Sequence, residues 1–270
     1  MPDSTKPEPS DSSQQKNTKP QEQSVRLNKA IADSGYCARR KADELIQAGK
    51  VQINGQTVTE LGTRIHPTRD FISIDGKPLS QAEKAYLLFN KPTGYVTSRK
   101  GGRSQKTIYE LIPPQYQSVD PAGRLDQDSS GALILSNDGD FLYQITHPKF
   151  HLPKIYEITL DRALTPDEIN QLLAGIRLMP ENKLARMNQI QPDRKNPNQY
   201  QVELITGYNR QIRRSLAVLG ARVMTLHRIS FGPIQLKNLP KGHCRPLTSE
   251  EQTYLLKNLN SNASPKTTTS

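Results

Sequence analysis

Cysteine is scarce: Cys37 and Cys244 are the only two in 270 residues, far apart and in no paired spacing. That argues against a disulfide framework and fits a reducing compartment. Five histidines (His66, His147, His151, His227 and His243) assemble no metal-ligand signature. His147 and His151 have helical i,i+4 spacing, but Pro148 and Pro153 make one continuous helix there unfavourable. No metal site is therefore expected. No apolar run approaches the ~18 residues of a membrane span. The N-terminal segment lacks the apolar stretch of a signal peptide, and its acidic, arginine-free character does not suit a transit peptide. The expectation is a soluble, monomeric, cytoplasmic protein with no membrane partner.

What is abundant is positive charge. Lys and Arg outnumber Asp and Glu by 37 to 26, a formal net charge of +11, and an excess of that size suggests a polyanionic partner such as nucleic acid. The cations are also placed unusually. Arg39, Arg40 and Lys41 fall in the first turn of one expected helix, and Arg210, Arg213 and Arg214 in that of another. A helix N-terminus carries partial positive charge, so each cation there is unfavourable by roughly 0.3–1 kcal/mol. Three at one start make sense if an anion sits there, where free N–H groups and side chains act together. A solvated basic face explains either helix alone equally well; two such starts in one basic chain favour RNA phosphates.

Hydrophobic residues make up only 34% of the chain, so part of it is expected to stay outside any core. Residues 1–24 and 257–270 are Pro-, Ser-, Asn- and Thr-rich and read as disordered tails. Between them, residues 25–79 read as a small ααβ module. Leu27, Ala30 and Ile31 form one helical face ended by Gly35, and Ala42, Leu45 and Ile46 another ended by Gly49. Val51–Val58 then alternates around Asn54-Gly55, a strong hairpin signal, and Ile72, Ile74 and Asp75-Gly76 add a further strand.

A polar linker at 80–84 leads to a larger α+β region, 85–256. Tyr86–Phe89, Ala132–Leu135, Ile155–Leu160 and Tyr200–Ile205 read as strands. Thr165-Pro166-Asp167-Glu168 opens a helix, Asn209–Leu219 forms another, and Thr248 with Glu251 caps a last one. Strands and helices do not alternate regularly, which points to a mixed, largely antiparallel sheet flanked by helices.

At this point the residues resemble known families. Arg26–Ala32, Ala38–Ile46 and Gly49–Gly55 resemble the S4 RNA-binding domain, with Ala38 where that family usually has a capping Ser. Five blocks in the larger region resemble the small-subunit-type (RsuA-type) rRNA pseudouridine synthases. They are Phe89-Asn90-Lys91-Pro92-Thr93-Gly94; Gly123-Arg124-Leu125-Asp126 with Ser130-Gly131; Lys154-Ile155-Tyr156; Asn209–Arg214; and Leu239–Gly242 with Arg245–Thr248. Each alone is weak; their order behind an S4-like module is specific. Tyr208 and Ser215 depart from the pattern, standing where relatives often carry a basic residue and Met.

The resemblance implies a cofactor-independent isomerase acting on ribosomal RNA or a pre-ribosomal particle. Asp126 would be the catalytic carboxylate, either attacking ribose C1′ or removing the 2′ proton. Arg213 would form its ion pair and keep it charged. Tyr156 would lie against the detached uracil, although it shares a strand face with Ile158 and Leu160 and could equally be core. Arg124 would touch phosphate near a flipped nucleotide or else form a structural salt bridge, and Lys91 carries the same ambiguity. Arg39, Arg40, Lys41, Arg210 and Arg214 would bind RNA. A non-catalytic RNA-binding protein of the same fold and an N-glycosylase are the competing readings.

Overall fold

The computed structural model of the chain describes residues 24–80, 82–102 and 104–261. The disordered tails expected at 1–24 and 257–270 lie almost wholly outside the described residues. A final helix, Ser249–Ser261, nonetheless runs into the second of them.

The described chain forms two compact units. The smaller takes residues up to Ala32 together with Ala38–Leu79; Asp33–Cys37 group instead with the larger unit, which continues from Ser80. In the smaller unit, helices Leu27–Asp33 and Arg39–Gln47 bury Leu27, Ile31, Ala42 and Ile46. Its four-stranded sheet is built from two hairpins, Val51–Ile53 with Gln56–Val58 and Ile72–Ile74 with Lys77–Pro78. Both turns put consecutive residues at positive φ, Asn54 and Gly55 at 52° and 83°, Asp75 and Gly76 at 48° and 75°. That is the geometry which lets a two-residue turn follow the strand twist, and it explains the Asn-Gly and Asp-Gly pairs.

The larger unit is organised around a nine-stranded mixed sheet. Its main path runs Gln189–Pro192, Gln199–Leu204, Lys154–Leu160, Val223–Phe231, Ser130–Ser136, Tyr86–Lys91 and Cys244–Pro246. One pairing along it is parallel, that of Val223–Phe231 with Ser130–Ser136; the rest are antiparallel. Strands Ser130–Ser136 and Tyr86–Lys91 are covered on both faces, so their cores read as apolar runs rather than alternations. Leu87, Phe89, Leu133 and Leu135 enter one core with helix residues Leu172, Ile212 and Leu216. Leu88, Ala132 and Ile134 enter the other with Phe141, Ile145 and Leu255.

The helix starts follow their caps. Thr165 and Glu168 close a reciprocal capping box at Pro166–Ala174, and Thr248 and Glu251 do the same for the last helix. Sequence pattern missed the Gly139–Thr146 helix, capped by Asp138, and the central Val223–Phe231 strand. The strand was hidden because two of its buried positions are Arg228 and Ser230, which break the apolar alternation.

Candidate active site

The sheet's parallel pairing sets the site. It places Arg228 beside Gly131, the first turn of strand after the Asp126 loop. A Cβ at Gly131 would lie 2.2 Å from the Arg228 carbonyl oxygen, so only glycine permits this approach. On its other side Arg228 is registered against Tyr156, immediately after a bulge at Ile155/Tyr156. A bulge bends the strand and re-aims the next side chain. Tyr156 thereby reaches a cavity of about 600 Å³ that is also lined by Arg124, Asp126, Lys154, Arg210 and Arg228.

Asp126 sits on a loop fastened from below. Lys91 is fully buried, and its Nζ donates to the carbonyl oxygens of Asp126 at 2.9 Å, Ser129 at 2.8 Å and Pro92 at 3.1 Å. The Gly94 amide donates to the Gln127 carbonyl, and Thr97 Oγ1 donates to that of Leu125 at 2.7 Å. Asn90 reaches the other way, with Nδ2 on the Leu239 carbonyl and its own carbonyl accepting from the Gly242 amide. Three sequence blocks that look independent are thus one hydrogen-bonded unit. Lys91 holds the loop rather than facing the cavity, which resolves its ambiguity. Burial pulls the Lys91 ammonium down to about 8, against the opposing charges of Asp126 and Asp128.

The arginines at the Gln211–Val218 helix do not divide as the sequence suggested. Arg213 pairs with Asp128, not Asp126: its Nε lies 3.2 Å from Asp128 Oδ2, and its Nη2 donates to the Asp128 carbonyl. Arg210 is the cation near Asp126, with Nη1 3.5 Å from Oδ2, while it also binds both carboxylate oxygens of Asp128. The reason is backbone geometry. Arg210 precedes the helix in the left-handed region (φ 48°), which turns its side chain back over the loop; Arg213, one turn on, reaches only the nearer carboxylate. Burial would raise the Asp128 carboxyl, but the Arg210 hydrogen bond and the Arg213 charge hold it below the usual carboxylate range.

The other expected residues are dispersed. Tyr156 is both core and cavity wall: it is 8% exposed, packs in the main apolar cluster, and has its hydroxyl 3.5 Å from Arg228 Nη1. Arg124 is exposed on the cavity and makes no ion pair among the described residues, so the salt-bridge alternative is absent there. Arg214 is committed to Glu181 and the Met179 carbonyl, both at 2.6 Å. Arg39 and Arg40, in the other unit, are exposed in the first turn of a helix whose N-cap, Ala38, makes no side-chain cap; Lys41 bonds Glu44 one turn on. Among the described residues no cluster of His, Cys, Asp or Glu could hold a metal ion. Nor is any helix among them long and apolar enough to cross a membrane. Sequence reasoning missed Arg228 and gave Lys154 no role; the register between the strands, unseen in one dimension, is what brings them in.

Comparison with known proteins agrees with the geometry. Residues 85–218 match the family model described as RNA pseudouridylate synthase, and residues 25–70 match the S4 domain. The chain is 37% identical over 238 residues to an RNA pseudouridine synthase of Aquifex aeolicus (strain VF5), covering 86% of this chain and 94% of that one. The chain belongs to the RNA pseudouridine synthases. It is 36% identical to ribosomal large subunit pseudouridine synthase B of Bacillus subtilis (strain 168), over 84% of this chain and 93% of that one. It is 32% identical to ribosomal small subunit pseudouridine synthase A of Escherichia coli (strain K12), over 84% and 98%. A crystal structure of a pseudouridylate synthase superposes with a TM-score of 0.62 at 30% identity, covering 86% of this chain and 99% of that one. The enzyme's reaction is therefore the isomerisation of uridine to pseudouridine in RNA.

Proposed function

We propose that this pseudouridine synthase modifies ribosomal RNA, free or within a pre-ribosomal particle, as a cytoplasmic monomer, and that Asp126 carries the chemistry. The observation that supports the assignment is a single cavity that holds the Asp126 carboxylate and the Tyr156 ring, with Asp126 on a loop anchored by a buried lysine. Substrate class rests on relatives named for both ribosomal subunits.

In this reading Asp126 either bonds to ribose C1′ or takes the 2′ proton, and both routes release the base from C1′. Tyr156 lies against the freed ring while it turns, a stacking contact worth about 1–3 kcal/mol. Arg210 sets a cation beside the carboxylate, with Nη1 3.5 Å from Asp126 Oδ2, and Arg213 fixes the loop through Asp128. Arg124, uncommitted at the rim, takes a backbone phosphate, and Arg39, Arg40 and Lys41 supply grip from the S4 unit.

The test is tritium release from 5-tritiated uridine in 16S and 23S rRNA transcripts, with pseudouridine recovered from the same digest. Asp126→Asn should abolish both while RNA affinity changes little, because the amide keeps the shape and loses the charge. Substantial turnover by that variant would sink the assignment. Base loss without pseudouridine would mark a glycosylase.

A further inference from the structure

Lys154 and Arg228 present positive charge that no carboxylate among the described residues pairs with. Arg228 is 3% exposed. Its Nε donates to the Ala132 carbonyl at 2.6 Å, its Nη1 is 3.5 Å from the Tyr156 hydroxyl, and its Nη2 is buried without any hydrogen-bond partner. Lys154, two residues before Tyr156 on the same strand, donates to the carbonyls of Leu152 and Ile205 and leaves its third N–H uncommitted. Neither cation has a carboxylate within ion-pair distance among the described residues, in contrast to Arg210, Arg213 and Arg214. Both line the Asp126 cavity. They also share one apolar neighbour, with Lys154 Nζ 5.5 Å and the Arg228 guanidinium 5.3 Å from the Phe231 ring centre.

A buried cation such as Arg228 without a counterion is costly, and a second, half-buried cation near it adds to the cost. Burial first and the Arg228 charge second bring the Lys154 ammonium down to about 8. Such an arrangement persists where an anion visits. With the backbone phosphates met at the rim by Arg124 in the proposed reading, the visitor at Lys154 and Arg228 is one made inside the cavity. The reaction makes it. When the C1′–N1 bond breaks, its electron pair leaves with the base, and uracil carries a negative charge spread over N1, O2 and O4. The charge lasts until C5 bonds to C1′, which gives a neutral adduct; loss of the C5 proton and gain of one at N1 then complete the reaction without net change of charge.

We propose that Lys154 and Arg228 form the counter-charge for uracil during the interval in which it is detached. This rests on the reading of the cavity as the uridine site. Lys154, with a free N–H, contacts the base and is the catalytic member. Arg228 is a positioning residue: it sets Tyr156 by register and hydroxyl contact, and its field acts from behind the ring in a medium of low dielectric, where such charges count most. The pair therefore favours the detached state over the bound uridine, which carries no charge.

The experiment compares wild type, Lys154→Gln, Lys154→Arg and Arg228→Lys on full-length 16S and 23S rRNA transcripts made with UTP or with 5-fluoro-UTP. Fluorine withdraws charge from the ring, so a fluorinated base needs less help from a cation. Turnover is read at saturating RNA as disappearance of the starting nucleoside, because fluorine at C5 removes the proton whose loss completes the normal reaction. For uridine, Lys154→Gln should slow single turnover by about 10²-fold, the loss typical of one preorganised donor, with RNA affinity within about twofold of wild type. With 5-fluorouridine that deficit should shrink to about tenfold or less, and Lys154→Arg should recover part of the uridine rate. Equal slowing on both substrates, or a loss confined to affinity, would overturn the proposal. Arg228→Lys should show the same substrate dependence; should it not fold, the partly exposed Lys154 variants decide alone. A wild type inactive on both transcripts and on pre-ribosomal particles of both subunits would instead overturn the rRNA reading beneath it.

Discussion

Lys91 Nζ lies 2.9 Å from the main-chain oxygen of Asp126, the residue whose side chain faces the cavity. The lysine therefore sets where the carboxylate is without touching the substrate. Lys91→Met keeps the length of the side chain and removes the donor shared by three carbonyls, of which that of Asp126 still accepts from the Ser129 amide. An unsatisfied buried acceptor costs about 1–3 kcal/mol, partly offset here by no longer burying a charge. A net destabilisation of about 1–3 kcal/mol is expected from urea melts. Single-turnover rate should fall by roughly 10²-fold, the scale of a misplaced reacting group, with RNA affinity preserved. A stable variant with wild-type turnover would show that the loop holds itself.

Asp128 and Arg213 should act as one unit. Arg213 Nε and Nη2 meet the side chain and main chain of Asp128, and Nη1 meets the Val223 carbonyl, so the helix, loop and central strand are tied at one guanidinium. Arg213→Ala and Asp128→Asn should each lower turnover by roughly tenfold or more, and the double variant should be little worse than the poorer single one. Arg213→Lys should recover only part, since a point charge cannot reach both the Val223 and Asp128 carbonyls while facing the Asp128 carboxylate. Fully additive losses would mean that the two residues act separately.

The elements that announced themselves in the sequence are those whose signal is local. Asn54-Gly55 encodes its own turn, Thr165 and Glu168 their own cap, and Ala132–Leu135 is apolar throughout because both faces are covered. The site was legible only through the family resemblance, and only as separate blocks. That Lys91 belongs under Asp126, or that Arg228 stands between Gly131 and Tyr156, depends on strand register and on a bulge. The exchange of partners between Arg210 and Arg213 turned on one residue at positive φ, which nothing in the Asn209-Arg210-Gln211 run discloses.

Stability and turnover should diverge in mild alkali. Lys91 and Lys154 titrate near 8 in the folded protein and near 10.5 unfolded, burial being the main cause for both. Between these values the unfolded chain binds more protons, so their contribution to stability rises with pH. The rise ends as Tyr86 and Tyr109, both pushed up by burial, begin to ionise in the unfolded chain near 10 and reverse the slope. Turnover should instead fall above about pH 8, as Lys91 loses a donor to the loop and Lys154 its charge. Chemical melts and single-turnover rates from pH 7 to 10 test both limbs. In Lys154→Gln the stability gain should be visibly smaller, and an unchanged gain would remove Lys154 from the account.

The S4 unit should contribute binding and no chemistry. Arg39 and Arg40 are exposed at the uncapped start of the Arg39–Gln47 helix, where free amides and two guanidinium groups can meet one phosphate. No acid or base in that unit belongs to a catalytic motif. Each phosphate contact releases counterions, so its loss flattens the dependence of log affinity on log salt by roughly one unit or slightly less. Arg39→Ala combined with Arg40→Ala should weaken rRNA binding and reduce that slope by about one to two units. At saturating RNA, single turnover should stay close to wild type. Titrations at several salt concentrations beside rapid-quench kinetics measure both. An unchanged slope would mean that the two arginines face only solvent. A collapsed rate at saturation would mean that the S4 unit helps to build the active site.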